Sequence, residues 1–187
     1  MLKNEIEAGL LVIINPKETA PAMLESHQID QYYLRWRGRM RKTTNLQTGT
    51  ESVEINKKWK RIGHAGNLEW ECTLPKFLCI DKIVFWIIAT FLQDPTTVSM
   101  KKVRTVYPWI GKKIIEVDEY EDHRAILLKG HECDDVLRLE VEVEKEYDLA
   151  SVAGNLPKYF TVLEDVTGDP YWNNANMSRR LKEIGPR

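Results

Sequence analysis

"YYLRWRGRMRK", residues 32–42, places an arginine at every second position. Arg35, Arg37, Arg39 and Arg41 alternate with Leu34, Trp36, Gly38 and Met40. Period two is that of a β-strand, whose successive side chains point to opposite faces. The stretch therefore reads as a strand over 31–43 with one cationic face. A comb of opposite sign lies in "VLRLEVEVEKEYD", residues 136–148. Leu137, Leu139, Val141 and Val143 form one face, and Arg138, Glu140, Glu142, Glu144 and Glu146 the other. Three dispositions suit such a pair. The strands are neighbours, and opposite charges across an antiparallel pair contribute roughly 0.2–1 kcal/mol each. Alternatively the arginine face is free for a polyanion, since alternate strand residues lie about 6.8 Å apart and arginine binds phosphate bidentately. In the third, the arginine comb of one copy meets the glutamate comb of the next. The sequence leaves all three open.

The surrounding chain is that of an ordinary globular protein. It has 187 residues, 43% of them apolar, and a net charge of −1. That length suits one domain with a real core, and the apolar content excludes wholesale disorder. Charge is segregated along the chain. Residues 32–61 carry nine basic against two acidic side chains, and residues 116–148 carry thirteen acidic against four basic. Such asymmetry points to charged partners or to self-association. Cys72, Cys79 and Cys133 form no familiar spacing and read as reduced thiols. The N-terminus does not read as a secretory signal. The longest apolar run, "IVFWIIATFL" (83–92), is far below the ~20 residues that span a bilayer. A soluble or peripheral protein is expected.

Strand signals recur along the chain. "GLLVIINP" (9–16) is a short buried strand stopped by Asn15-Pro16, and 15–23 is a loop. A helix over 77–92 starts after Pro75 and stops at Asp94-Pro95. With almost no polar face on its second half, it belongs at the centre of the core. The alternative lays Phe85, Trp86 and Phe91 into a membrane interface. Strands follow at 103–111, 112–121 and 124–130, the last two as a hairpin around 118–123. After 136–148, a short helix or turn and then a strand fill 149–163. The expected class is α+β, an antiparallel sheet packed against one dominant apolar helix. The expected organisation is an N-terminal strand and loop segment (1–30) followed by a single domain (31–187).

A catalytic set is not evident. His27, His64, His123 and His131 read as surface loop residues. His131 and Cys133 in "HEC" are too few for a zinc site. No G-x-S-x-G, P-loop or G-x-G-x-x-G occurs. A thiol nucleophile at Cys72 or Cys133 is the one enzymatic reading kept open. The expectation is a binding or structural protein with no enzymatic activity, cofactor or metal. Trp109 follows Pro108 close to Lys101, Lys102 and Arg104, a grouping that suits contact with lipid headgroups.

The order of features resembles the matrix proteins of rhabdoviruses, particularly the small ones of plant members. The parts that match are the basic strand "YYLRWRGRMR", the apolar helix and loop "KIVFWIIATFLQDPTTVSM", the strand into "AILLKG", the alternating "VLRLEVEVEKEYD" and the helix "ASVAGNLPKYF". The resemblance implies a non-catalytic protein that self-associates and bridges the nucleocapsid to the envelope during virion assembly. Arg35, Arg37, Arg39, Arg41, Lys57, Lys58, Lys60 and Arg61 would meet nucleocapsid or anionic lipid. Glu140, Glu142, Glu144 and Glu146 would meet a neighbouring copy, and Trp109, Lys101 and Lys102 the membrane. The implied partners are its own copies, nucleocapsid or RNA, an anionic membrane surface and an envelope glycoprotein. The implied locations are the virion, the host cytoplasm and the inner face of membranes. The competing reading is a nucleic-acid-binding accessory protein, such as a viral silencing suppressor, using the arginine strand.

Overall fold

The computed structural model describes residues 2–36, 38–60, 67–74, 80–110, 113–122, 124, 135–143 and 149–185. Their order is β1 (Leu2–Ile14), β2 (Glu25–Tyr33), β3 (Arg39–Asn45), β4 (Glu51–Lys60), β5 (Asn67–Thr73), α1 (Ile80–Phe91), β6 (Met100–Pro108), β7 (Ile114–Tyr120), β8 (Leu137–Val143), α2 (Leu149–Val152), β9 (Phe160–Asp165) and α3 (Asn174–Ile184). The sheet runs β5-β4-β3-β2-β6-β7-β8-β1-β9, and β5 also pairs with β1. The second pairing closes eight strands into a ring. Every pairing in it is antiparallel. β1 makes closure possible by its length. Its first residues pair with β5, Ile6–Val12 pair with β8, and Leu10–Ile14 pair with β9 along the edge that β5 leaves free. A closed ring has no exposed strand edge.

The mostly antiparallel α+β class is as the sequence reads. The faces are not. Ala8, Leu10, Val12, Ile115, Val117, Leu139, Val141 and Val143 form one core cluster on the outer side of the barrel wall, with Val152 and Phe160. Partly buried Tyr107, Tyr159 and Trp109 cover it. Tyr107 and Tyr159 set their rings edge-to-face on Phe160, with centroids 5.7 and 5.0 Å away. On β7 and β8 the alternate residues Glu116, Asp118, Arg138 and Glu140 face the lumen and are charged. This barrel is apolar outside, beneath its covering elements, and polar inside.

The apolar helix is the clearest correction. Its described part, α1, lies across the outside of β3 and β4. Phe85, Ile88 and Ala89 pack on Leu34, Met40 and Val53, and Phe85 meets Tyr32 edge-on at 5.3 Å. Ile83, Trp86 and Phe91 are 56%, 64% and 63% exposed. The helix is a cover, not the centre of the core. No helix among the described residues is long and apolar enough to cross a membrane.

The arginine comb is also not one strand. β2 ends at Tyr33 and β3 begins at Arg39. Leu34 N donates to Gly38 O at 2.9 Å to close the hairpin between them. Leu34 is held by a bridge to Gln93 rather than by the ladder. Of the expected 112–121/124–130 hairpin, the first strand is β7, which pairs with β6 on one side and β8 on the other; 125–130 lie outside the described residues.

The C-terminal segment, unassigned in sequence, forms α3. Asn173 caps it, its side chain accepting from Ala175 N at 2.8 Å, and Gly185 stops it at φ 84°. Trp172, Met177 and Leu181 pack on Leu11, Tyr33, Met100 and Tyr120. Those four residues continue the lumen-facing rows at one end of the barrel, so α3 covers that end. Ser178 Oγ ties it down, accepting from Val98 N at 3.0 Å and donating to Val98 O at 2.6 Å.

The two faces of α1 predict unequal mutational costs. Phe85→Ala is expected to lower unfolding free energy by about 2–3 kcal/mol, and Trp86→Ala by less than roughly 0.5 kcal/mol. Urea denaturation of both variants checks this; equal losses would show that the outer face is covered as well.

Candidate functional site

Strand register assembles the lumen. Across β2, β6 and β7, His27 stands opposite Arg104 and Arg104 opposite Asp118. Asp118 stands opposite Arg138, and Glu116 opposite Glu140. On the other side Gln31 is opposite Arg41, Arg41 opposite Glu54, and Arg39 opposite Asn56. Lys102, Arg104, Asp118, Glu140, Gln31 and Asn56 are all buried. Buried charge is tolerated only when paired or hydrogen-bonded.

The β6–β7–β8 wall meets that demand. Arg104 Nε donates to Asp118 Oδ1 at 2.7 Å and Nη2 donates to Oδ2 at 2.8 Å. The same Nη2 reaches Glu140 Oε2 at 2.6 Å, and Nη1 bonds Glu116. Lys102 Nζ donates to Asp118. Arg138 Nη2 reaches Glu140 Oε1 at 2.7 Å, and its Nη1 donates to Asn174 of α3 at 3.0 Å. Burial opposes charge on Arg104, but Asp118 and Glu116 outweigh it and its pKa rises. Asp118 is pushed up by burial and pulled further down by Arg104 and Lys102, so it stays ionised.

The β2–β3 side is different. Arg39 Nε donates to Asn56 Oδ1 at 2.8 Å, but buried Arg41 Nε has no hydrogen-bond partner. Burial, then Arg39 and Arg104, lower the Arg41 pKa to about 10. Burial, then Arg104, lower that of Lys102 to about 7. Of the five buried side-chain polar atoms without a partner among the described residues, four sit on lumen-facing residues: His27 Nδ1, Gln31 Oε1, Arg41 Nε and Arg138 Nε. Each such atom costs about 1–3 kcal/mol and calls for a missing partner. A cavity of about 360 Å³ opens beside two of them, His27 and Arg41, and is lined by Glu25, Glu54, Arg104 and Glu116 among others. That volume is in the range of small-ligand sites. Among the described residues no cluster of three or more His, Cys, Asp or Glu side chains is placed to hold a metal.

The residues singled out in sequence are scattered by this geometry. Arg39 and Arg41 enter the lumen. Arg35 lies in the β2–β3 turn, its Nε donating to Gln93 O at 3.4 Å. Arg37 and Arg61 fall outside the described residues, β4 carries Lys58 and Lys60 at its end, and Lys57 lies on the outer side of β4. Glu140 is buried against Arg104 and Arg138 and is not a surface for a neighbouring copy. Glu142 is exposed, across from Glu7, and Glu144 and Glu146 lie outside the described residues. Lys101 is exposed while Lys102 is buried inside the wall, so the two lysines point to opposite faces and form no joint membrane contact. Trp109 packs against the outer core, its Nε1 donating to Asn155 O at 3.0 Å. His27, read in sequence as a surface loop residue, lines the lumen. Cys72 is exposed, and Cys79 and Cys133 lie outside the described residues.

Solved structures contain such a barrel. The chain is similar in fold to an inorganic triphosphatase. The crystal structure of inorganic triphosphatase NE1496 matches with a TM-score of 0.54 at 17% identity, over 95% of each chain. A second structure of NE1496, described as a hypothetical protein, gives 0.52 at 18% identity over 94% of this chain and 97% of the other. No family model matches the sequence, and no curated protein matches it. The resemblance to rhabdovirus matrix proteins is thereby overturned, and with it the role in virion assembly. The nucleic-acid-binding alternative falls too, since Arg39 and Arg41 face the inside of a closed ring. The expectation of a protein without enzymatic activity is corrected by the same finding, because an enzyme has this fold.

The buried lysine gives the site a pH signature. Unfolded, Lys102 holds its proton up to about 10.5; folded, it releases it near 7. Between those values the unfolded state binds more protons, so stability rises with pH. The melting temperature should therefore climb more steeply over that range in wild type than in Lys102→Met. Parallel curves would refute the assignment.

Proposed function

We propose that the lumen binds a linear triphosphate-class anion and hydrolyses its phosphoanhydride bond. The observation that carries this reading is Arg41: a buried guanidinium with an unbonded Nε, crowded by Arg39 and Arg104 at the edge of a cavity. Arg41 stands across the ladder from Glu54, and its Nε is left over as a buried donor that calls for a further acceptor. Arginine suits a phosphate, which it binds through parallel N–H bonds. The β6–β7–β8 wall keeps its own carboxylates occupied, and the unmatched guanidinium nitrogens are Arg41 Nε on β3 and Arg138 Nε on β8; of the two residues, Arg41 lines the cavity. Support for the triphosphate class comes from NE1496, an inorganic triphosphatase with the same fold.

Isothermal titration with tripolyphosphate, with orthophosphate release followed in parallel, tests the reading. Wild type is expected to bind and to release orthophosphate. Arg41→Met should weaken binding by about tenfold or more, the loss of one charge-assisted contact. Absence of binding, or binding indifferent to Arg41, overturns the proposal.

Proton linkage supplies an independent check. A bound polyanion raises the pKa of Lys102 from about 7, so the complex holds more protons than the free protein. Binding should take up protons and weaken as pH rises above that value. Titrations in buffers of different ionisation enthalpy measure the uptake; proton release would contradict it.

A further inference from the structure

The lumen contains a histidine that the ion-pair network does not use. His27 lies on β2 directly across from Arg104 and lines the cavity beside Arg41. Its Nε2 is 2.9 Å from Glu25 Oε2, two residues earlier on the same face. An ionised carboxylate only accepts, so Nε2 carries a hydrogen, and in the neutral imidazole Nδ1 has the lone pair. Nδ1 is buried without a partner. A histidine serving structure alone bonds both nitrogens, and here one is reserved.

We infer that His27, oriented by Glu25, is the general base that activates water against a triphosphate held in the lumen. This rests on the proposed triphosphate site. Among the lumen carboxylates, Asp118, Glu116 and Glu140 are bound to Arg104, and Glu54 stands across the ladder from Arg41. The charged groups that face His27 have opposed effects. Glu25 on its own strand and the carboxylates Glu54 and Glu116 favour the imidazolium, whereas Arg104 on β6 and Arg41 on β3 oppose it.

The step balances without a further reactant. A water oxygen attacks the terminal phosphorus as Nδ1 takes one of its protons, forming a P–O bond. The bridging P–O bond breaks, and its electron pair leaves with the diphosphate. The imidazolium then returns its proton to the products or to solvent. Its positive charge is stabilised by Glu25, whose side chain is 58% exposed against 17% for His27. The pair thus lies at the solvent side of the cavity, where water enters.

The experiment compares wild type, His27→Gln and Glu25→Gln as full chains with tripolyphosphate, measuring kcat by orthophosphate release across pH and Kd by titration. His27→Gln should lower kcat by about 10²–10⁴-fold, keep Kd within roughly threefold, and lose the acid limb of the kcat profile. Glu25→Gln, at an exposed carboxylate, should fold normally and shift that limb with a smaller loss of about tenfold. A His27→Gln enzyme with wild-type kcat, or either variant retaining the unshifted limb, overturns the assignment. Wild type that binds tripolyphosphate without hydrolysing it also overturns His27 as a base while leaving the binding reading intact. Failure to bind at all removes both.

Discussion

The bidentate pair between Arg104 and Asp118 is the constraint to which the rest of the lumen conforms. Asp118 is fully enclosed, and such a carboxylate stays ionised only beside cations. Arg104 meets it with two parallel bonds and spends its remaining donors on Glu116 and Glu140. One guanidinium thus joins three adjacent strands, and Arg138 extends the lattice to α3 through Asn174. Removing a single member would strand a buried charge, which costs about 3–5 kcal/mol. The wall is rigid for that reason, and one unmatched guanidinium nitrogen, Arg41 Nε, faces it from β3.

Much of the strand content was legible. Alternation in 136–148 and 103–121 marked real strands, and 149–163 divided into a helix and a strand as the pattern suggests. What periodicity does not reveal is which face is inside. Leu139, Val141 and Val143 were correctly grouped, but a polar face ordinarily reads as solvated. Here it is enclosed because β5 returns to β1, a pairing between distant residues that leaves no local trace. The same blind spot raised α1 to a core helix. Its composition is apolar all round, yet only the Phe85, Ile88 and Ala89 side has wall to pack on.

The candidate site was legible in part and under the wrong description. Parts of the two combs do turn toward shared space: Arg39 and Arg41 from one, and Arg138 and Glu140 from the other, face the same lumen. Arg39 and Arg41 were named for their spacing, and spacing did place them together. Arg104, Asp118 and Glu116 were not, because each appears singly in an unremarkable strand. His27 carried no signal at all: one histidine in "ESHQIDQYY" becomes informative only when register sets it opposite Arg104. α3 was available from its punctuation, Asn173 before it and Gly185 after it, but its polar composition masked the buried stripe of Met177, Ser178 and Leu181.

The pairing of β1 with β8 has a kinetic consequence. It joins Ile6 to Val143 and Val12 to Leu137, so β1 waits for a strand more than a hundred residues further along the chain. Such non-local closure is slow, because loop entropy must be overcome before any contact rewards it. During that wait Leu10, Leu11 and Val12 form an unpaired apolar edge. While the chain is emerging from the ribosome, that edge is the part of the molecule most prone to pair with another nascent copy. Once the ring is shut the hazard vanishes, and the barrel becomes hard to reopen without breaking pairings on both sides of β1 together.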